Sequence, residues 1–369
     1  MNFDFSEEQQ LLRDQAQRFL RDREALTRSR AALDAGGGFD AELWQQMAEL
    51  GWLGAALPEA YGGAGLSYVD LCVIAEELGR ANAATPFASS VYLASEALAQ
   101  FGTPEQKQKW LPKLIAGEVV GTVASVESTG PLTPARVRAS VAGGHLSGSK
   151  SPVADAAHAD IIIVLARHAD GFGLFLLEAN TAGVTRTDLQ MNDASRPASA
   201  LAFSATPVEP MASDDGWSAF ETLQDRAAVL LAFEQVGGAQ ACLEMARDYS
   251  LERYAFGRPI GSFQAIKHKL ADVYVATELA RSNAYFGAWA LHANAPELPV
   301  AAAAARVAGC RAFDLASKEN IQTHGGMGFT WALDCHLYYR RARAISLTLG
   351  SARVWKDRLI SRLESRNAA

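Results

Sequence analysis

From about residue 121 to residue 215 the 3.6-residue apolar periodicity of the chain fades, and threonine, serine, glycine and valine take over. A chain that switches period twice cannot be one uniform bundle. Within this stretch, VRASVAGGHLSGSK places Gly143 and Gly144 between two short runs, a hairpin signal. ADIIIVLARHADGFGLFLLEA reads as two apolar strands around a glycine turn. Both flanks are helical. Ser6 with Gln9 reads as a capping box before a helix carrying Leu12, Phe19 and Leu20. Helical patterns continue over 41–51, 68–81, 89–101 and 104–116, broken at Pro58–Gly65 and at Pro86. In the 102–121 stretch, Thr103 caps, Pro104 takes the first helical position and a glycine follows the last turn. Further on, Phe263, Ile266, Leu270, Val273 and Tyr274 fall at helical spacing, and 298–322 holds an alanine run suited to close helix packing. The 369 residues exceed one ordinary core. The expected fold is therefore mainly α with a central antiparallel β domain: a helical domain over 1–120, the β domain over 121–215 and a helical bundle over 216–369.

Composition excludes several classes. A formal charge of −7 argues against a general nucleic-acid surface. No apolar run approaches the roughly 20 residues that span a bilayer, and the acidic, amphipathic start is not a signal peptide. Cys72, Cys242, Cys310 and Cys335 are widely separated and form no C-x-x-C pair. That favours reduced thiols in a cytoplasm over a disulfide framework or a metal site.

Two stretches near the C-terminus join polar anchors to glycines inside a helical pattern: RYAFGRPIGSFQAIKHKLAD over 253–272 and NIQTHGGMGFTWALDCHLYYRRARA over 320–344. Arg253 can fork onto a phosphate with two parallel hydrogen bonds. Gly325 and Gly326 remove two β-carbons, so a backbone can approach a ligand closely. Gln322 offers a carboxamide that both donates and accepts. Both stretches closely resemble the acyl-CoA dehydrogenase family, whose members bind FAD with R-x-x-F-G…F-Q and Q-x-x-G-G-x-G segments. Arg253, Phe256, Gly257, Phe263 and Gln264 match the first; Gln322, Gly325, Gly326 and Gly328 match the second. The resemblance implies FAD as cofactor, with Arg253, Phe256, Gln264, Gln322, Gly325 and Gly326 gripping a flavin whose ring lies in a neighbouring subunit.

Other family positions are altered. A T-E-P-x-A-G-S-D-like segment is reduced to Glu127 and a small-residue turn. In the G-x-K-x-W-I-T-N segment Gly148 and Lys150 remain, but Pro152 replaces the tryptophan, and Ala154 and Asp155 replace the polar pair. Proline supplies neither a stacking face nor a donor. The family removes an α-proton with a carboxylate while a β-hydride passes to flavin. Alignment on Arg340 to Arg343 puts Leu349 at the usual glutamate position. The alternative position, on the preceding helix, holds Ala227 and Ala228. Glu234 is the nearest replacement carboxylate, nearly two turns further on; its other reading is a polar contact between helices. Asp334, Cys335 and His336 are adjacent in sequence and so point in different directions. His324 suits either a flavin phosphate or a structural role.

The resemblance therefore implies a subunit of an FAD-dependent acyl-CoA dehydrogenase that completes the flavin site of a catalytic partner. Bulky or polar acyl-CoAs, steroid side chains among them, would be its substrates, and electron-transfer flavoprotein its acceptor. Two alternatives stay open: a self-sufficient enzyme with a relocated base such as Glu234, and a flavin- and acyl-CoA-binding protein without dehydrogenase activity. Homo- and hetero-oligomers both fit.

Overall fold

A computed structural model describes residues 6–368; the outermost residues of the two expected helical regions, 1–5 and 369, lie outside the described residues. The expected signals place the elements. Ser6 Oγ accepts from Gln9 N at 3.2 Å, and Gln9 Oε1 accepts from Ser6 N at 3.1 Å. This capping box starts α1 (Glu7–Asp22). Thr103 and Gln106 repeat it before α6 (Pro104–Ile115). Between them lie α2 (Ala25–Asp34), α3 (Ala41–Glu49), α4 (Tyr68–Arg80) and α5 (Glu96–Phe101). The expected 89–101 helix is not a plain α-helix, because Ala88–Ser95 winds as a π-helix. Such segments are rare and gather at functional sites.

The chain groups into two compact units. Residues 32–67 and 84–227 form one; the described residues up to 31, with 68–83 and 228–368, form the other. The first unit holds an eight-stranded sheet with β1 (Gly121–Ala124), β2 (Ser140–Ala142), β3 (His145–Ala154), β4 (Ile161–His168), β5 (Gly171–Glu178), β6 (Val184–Leu189), β7 (Ala198–Pro207) and β8 (Glu209–Pro210). Its order is β6-β7-β3-β2-β4-β5-β8, with β1 also on β4. Gly143 and Gly144, at φ +57° and +78°, turn the β2–β3 hairpin. The sheet is mixed rather than purely antiparallel, since β4 pairs in parallel with both β1 and β2. Ile162, Val164, Phe175, Leu177, Leu201 and Phe203 pack on one face as its core.

The second unit is helical. It holds most of α7 (Gly216–Glu252), then α8 (Gln264–His292), α9 (Leu298–His324), α10 (Cys335–Leu347) and α11 (Ala352–Ala368). Helices α4 and α7 cross at glycines on both sides. A β-carbon on Gly79 would lie 1.9 Å from Glu234 O, and one on Gly237 would lie 1.8 Å from Glu76 O. No described helix is long and apolar enough to cross a membrane.

Candidate functional site

The segment after α7 folds back as a two-stranded ribbon, Tyr254–Ala255 against Arg258–Pro259. Its two-residue turn puts Phe256 at φ +53° and Gly257 at φ +80°. Glycine tolerates that region, whereas a bulky aromatic does not. Phe256 is held there with 96% of its surface exposed. Strain of this kind concentrates at ligand clamps and active sites. Phe263 lies under it, with ring centroids 6.2 Å apart, and the Arg258 guanidinium sits 4.0 Å from the Phe263 centroid. Helix α8 then starts at Gln264 with no side-chain cap on its first turn. Arg253 and Gln264 are exposed, and neither side chain has a hydrogen-bond or ion-pair partner among the described residues.

The second segment begins on the last turn of α9, where the exposed Gln322 likewise has no side-chain partner among the described residues. Gly325 ends the helix at φ +59°, ψ −137°, open to glycine alone. Gly326 differs: its φ is ordinary, and a β-carbon there would meet nothing within 4 Å. Nothing among the described residues requires glycine at that point. Gly328, by contrast, is an internal packing glycine, with Ile321 O 2.5 Å from where its β-carbon would stand. His324 is structural: it stacks on Tyr249 with centroids 4.2 Å apart, and its Nδ1 lies 2.9 Å from Asn320 O.

Asp334, Cys335 and His336 disperse. Asp334 accepts from Arg30 Nε at 2.8 Å, Cys335 turns inward toward Asn320, and His336 stacks on Trp331. Leu349 lies in the turn between α10 and α11 at φ +62°, followed by Gly350 at φ +99°. Sequence reasoning missed the residue that holds this turn. Arg306 of α9, 0% exposed, donates to Thr348 O at 2.7 Å, to Ile345 O and to Gln235 Oε1 at 2.5 Å. A guanidinium on the last carbonyls of α10 meets both their unpaired lone pairs and the helix dipole. The signal was there: a lone arginine within an alanine run.

Glu234 is 1% exposed, with Oε1 3.9 Å from Arg341 Nη1. Arg341 also donates to Ala83 O at 3.1 Å. With its backbone against Gly79, Glu234 belongs to the helix crossing.

In the sheet unit, the family positions that remain are those with internal work. Lys150 is fully buried and donates to Glu127 Oε1 at 2.7 Å, while the Glu127 carboxylate also accepts from Arg138 N and Ala139 N. Burial pushes the Lys150 ammonium down, and Glu127 opposes that. Gly148 has φ +134°, and a β-carbon there would lie 2.7 Å from Ala139 Cα. Of the altered positions, Pro152 and Ala154 face outward on β3. Asp155 turns in and accepts from Ser89 Oγ of the π-helix at 2.5 Å.

Comparison with known proteins gives the family. "Acyl-CoA dehydrogenase, N-terminal domain" matches residues 6–118, and "Acyl-CoA dehydrogenase, C-terminal domain" matches 214–363. Acyl-CoA dehydrogenase IpdE2 of Mycobacterium tuberculosis is 33% identical over 365 residues, covering 97% of each chain. A chain of a Tcur3481–Tcur3483 steroid ACAD variant superposes with a TM-score of 0.89 at 32% identity, over 98% of this chain and 99% of that one. A chain of the ChsE4–ChsE5 complex of Mycobacterium tuberculosis gives 0.90 at 28% identity, covering 99% of each. The chain therefore belongs to the acyl-CoA dehydrogenase family of FAD-dependent oxidoreductases.

Proposed function

We propose that the chain is a subunit of a heteromeric acyl-CoA dehydrogenase, and that it completes the flavin site of a catalytic partner. The observation that carries this reading is a contrast. Among the described residues, Arg253, Gln264 and Gln322 present unpartnered polar groups, Phe256 is held strained and exposed, and Gly326 leaves space that none of them fills. Position 349, where the family usually has its base, is leucine. The donor set fits a dinucleotide: Arg253 would hold the diphosphate, Gln322 and the Gly325–Gly326 backbone would lie along it, and Phe256 would cover an apolar part. Bound FAD would supply the hydride acceptor for α,β-dehydrogenation of an acyl-CoA. This chain's residues bind and orient it, while proton abstraction falls to a carboxylate of the partner. Glu234 is read as a structural ion-pair member, because removing its charge from Arg341 would leave a buried cation uncompensated.

Two neighbours favour a mixed assembly and a bulky substrate: the ChsE4–ChsE5 complex and the steroid ACAD. An acyl-CoA with a polycyclic or side-chain-bearing acyl group is the substrate class we assign, with electron-transfer flavoprotein as acceptor. Four buried free cysteines fit a reducing cytoplasm. The test is turnover. The purified chain alone should dehydrogenate acyl-CoAs at a rate about 10²–10⁴-fold below that of its complex with the partner, the usual worth of a general base. Robust turnover by the homomer would refute the reading.

A further inference from the structure

The sheet unit carries a polar cavity of about 500 Å³ between the loop after β1, the arc leading into β2 and the start of β3. Glu127, Ser128, Thr129, Arg136, Arg138 and Ser149 line it. We propose that this cavity binds a phosphate-type oxyanion, held by Arg136 and Arg138 with the hydroxyls of Ser128, Thr129 and Ser149. The assignment does not rest on the flavin reading above, which uses residues of the other compact unit.

Charge is the first argument. Glu127 is the acid in the wall, and its charge is already met by buried Lys150 and by two backbone N–H groups. The two arginines therefore stand uncompensated. The Arg138 guanidinium has no hydrogen-bond or ion-pair partner among the described residues. A third cation, Arg167, lies beneath the arc, donating to Val137 O and to Pro134 O at 2.6 Å each. Two forked guanidiniums with neighbouring hydroxyls suit the several acceptors of a phosphate.

Preorganisation is the second. Arg136 Nη1 donates to Thr129 O at 2.6 Å and lies over Gly130, whose φ is +97°. A β-carbon on Gly130 would lie 2.4 Å from that nitrogen. Its remaining N–H groups are not used by this contact. Arg138 is set by its own backbone N–H on Glu127, and the facing wall is fixed by the close approach of Gly148 to Ala139. Arg136 is thus already held by one contact before binding, which lowers its ordering cost, and Arg138 adds a free fork beside it.

The phosphate could arrive free or as part of a nucleotide thioester carrier, and equilibrium dialysis with two probes separates these. Inorganic pyrophosphate and coenzyme A are each titrated against the full chain, Arg136→Gln, Arg138→Gln and the double variant. Circular dichroism melts establish that the exposed substitutions leave the fold intact. Each single substitution should weaken binding roughly ten- to hundred-fold, the worth of a charge-assisted hydrogen bond. Arginine-dependent binding of pyrophosphate supports a free oxyanion. Arginine-dependent binding of coenzyme A alone supports the carrier-borne one. Arg253→Ala reports any probe that binds at the flavin-gripping segment instead. The proposal is overturned if the wild-type chain binds neither probe, if the double variant binds both as the wild type does, or if binding is lost in Arg253→Ala and kept in the double variant.

Discussion

Glu77→Gln should stabilise this protein above neutral pH and do little at pH 5. Glu77 lies on α4 at 2% exposure. Its Oε1 accepts from Gln17 Nε2 of α1 at 3.1 Å and lies 3.8 Å from Arg13 Nε, while Oε2 has no hydrogen-bond donor among the described residues. Burial pushes the carboxyl up from an ordinary 4.5 to about 7, helped by adjacent Glu76 and opposed by the Gln17 hydrogen bond and by Arg80 and Arg13. The folded value is raised, so Glu77 favours the folded state below pH 4.5, and that contribution is lost as pH rises through about 7. The difference, about 2.5 pH units, corresponds to about 3 kcal/mol at 1.36 kcal/mol per unit. Glutamine keeps the shape and an acceptor for Gln17 but carries no charge to desolvate. The net shift already includes the attraction of Arg13 and Arg80, so the gain at pH 8.5 over that at pH 5 should be on the order of 2–3 kcal/mol. Urea unfolding of variant and wild type at pH 5 and pH 8.5 measures it. A variant-minus-wild-type difference that is the same at both pH values would refute the reasoning.

Three further substitutions follow from the geometry. Gly79→Ala drives a β-carbon into the Glu234 carbonyl, a backbone atom that cannot step aside; it should cost about 3 kcal/mol or more in denaturant unfolding. Arg306→Leu removes a charged donor from the Ile345 and Thr348 carbonyls and from Gln235 Oε1 and should cost about 3–5 kcal/mol, with faster hydrogen exchange over 345–350. Arg253→Ala should weaken FAD retention by the complex by about 1.5–3 kcal/mol and leave the apo-protein melting temperature unchanged, because the side chain is exposed and unpartnered.

Local signals carried most of the fold into the sequence. Caps at Ser6 and Thr103, and paired glycines at 143 and 144, act within a few residues, so a reader of the string sees them. The parallel pairings of β4 with β1 and β2 were hidden because they join distant segments and leave no periodic mark. The motifs around Arg253 and Gln322 were legible as spacing. Their physical character was not: the strain at Phe256 and the unfilled space at Gly326 exist only in three dimensions. Arg306, Arg341 and Lys150 look in sequence like ordinary surface cations, yet each is buried with partners far along the chain. The same burial accounts for what β3 kept. Glu127 and Lys150 hold each other inside the unit, whereas Pro152 and Ala154 face outward, where substitution breaks no internal contact.

The most direct test of the central claim is flavin stoichiometry in a complex co-expressed with a dehydrogenase-like partner. The account predicts a mixed assembly holding about one FAD per pair of chains. It also predicts that Gln322→Ala in this chain lowers the activity of the complex although the base lies on the other subunit. Homo-oligomers of this chain with one FAD per subunit, and an activity that no partner changes, would contradict it.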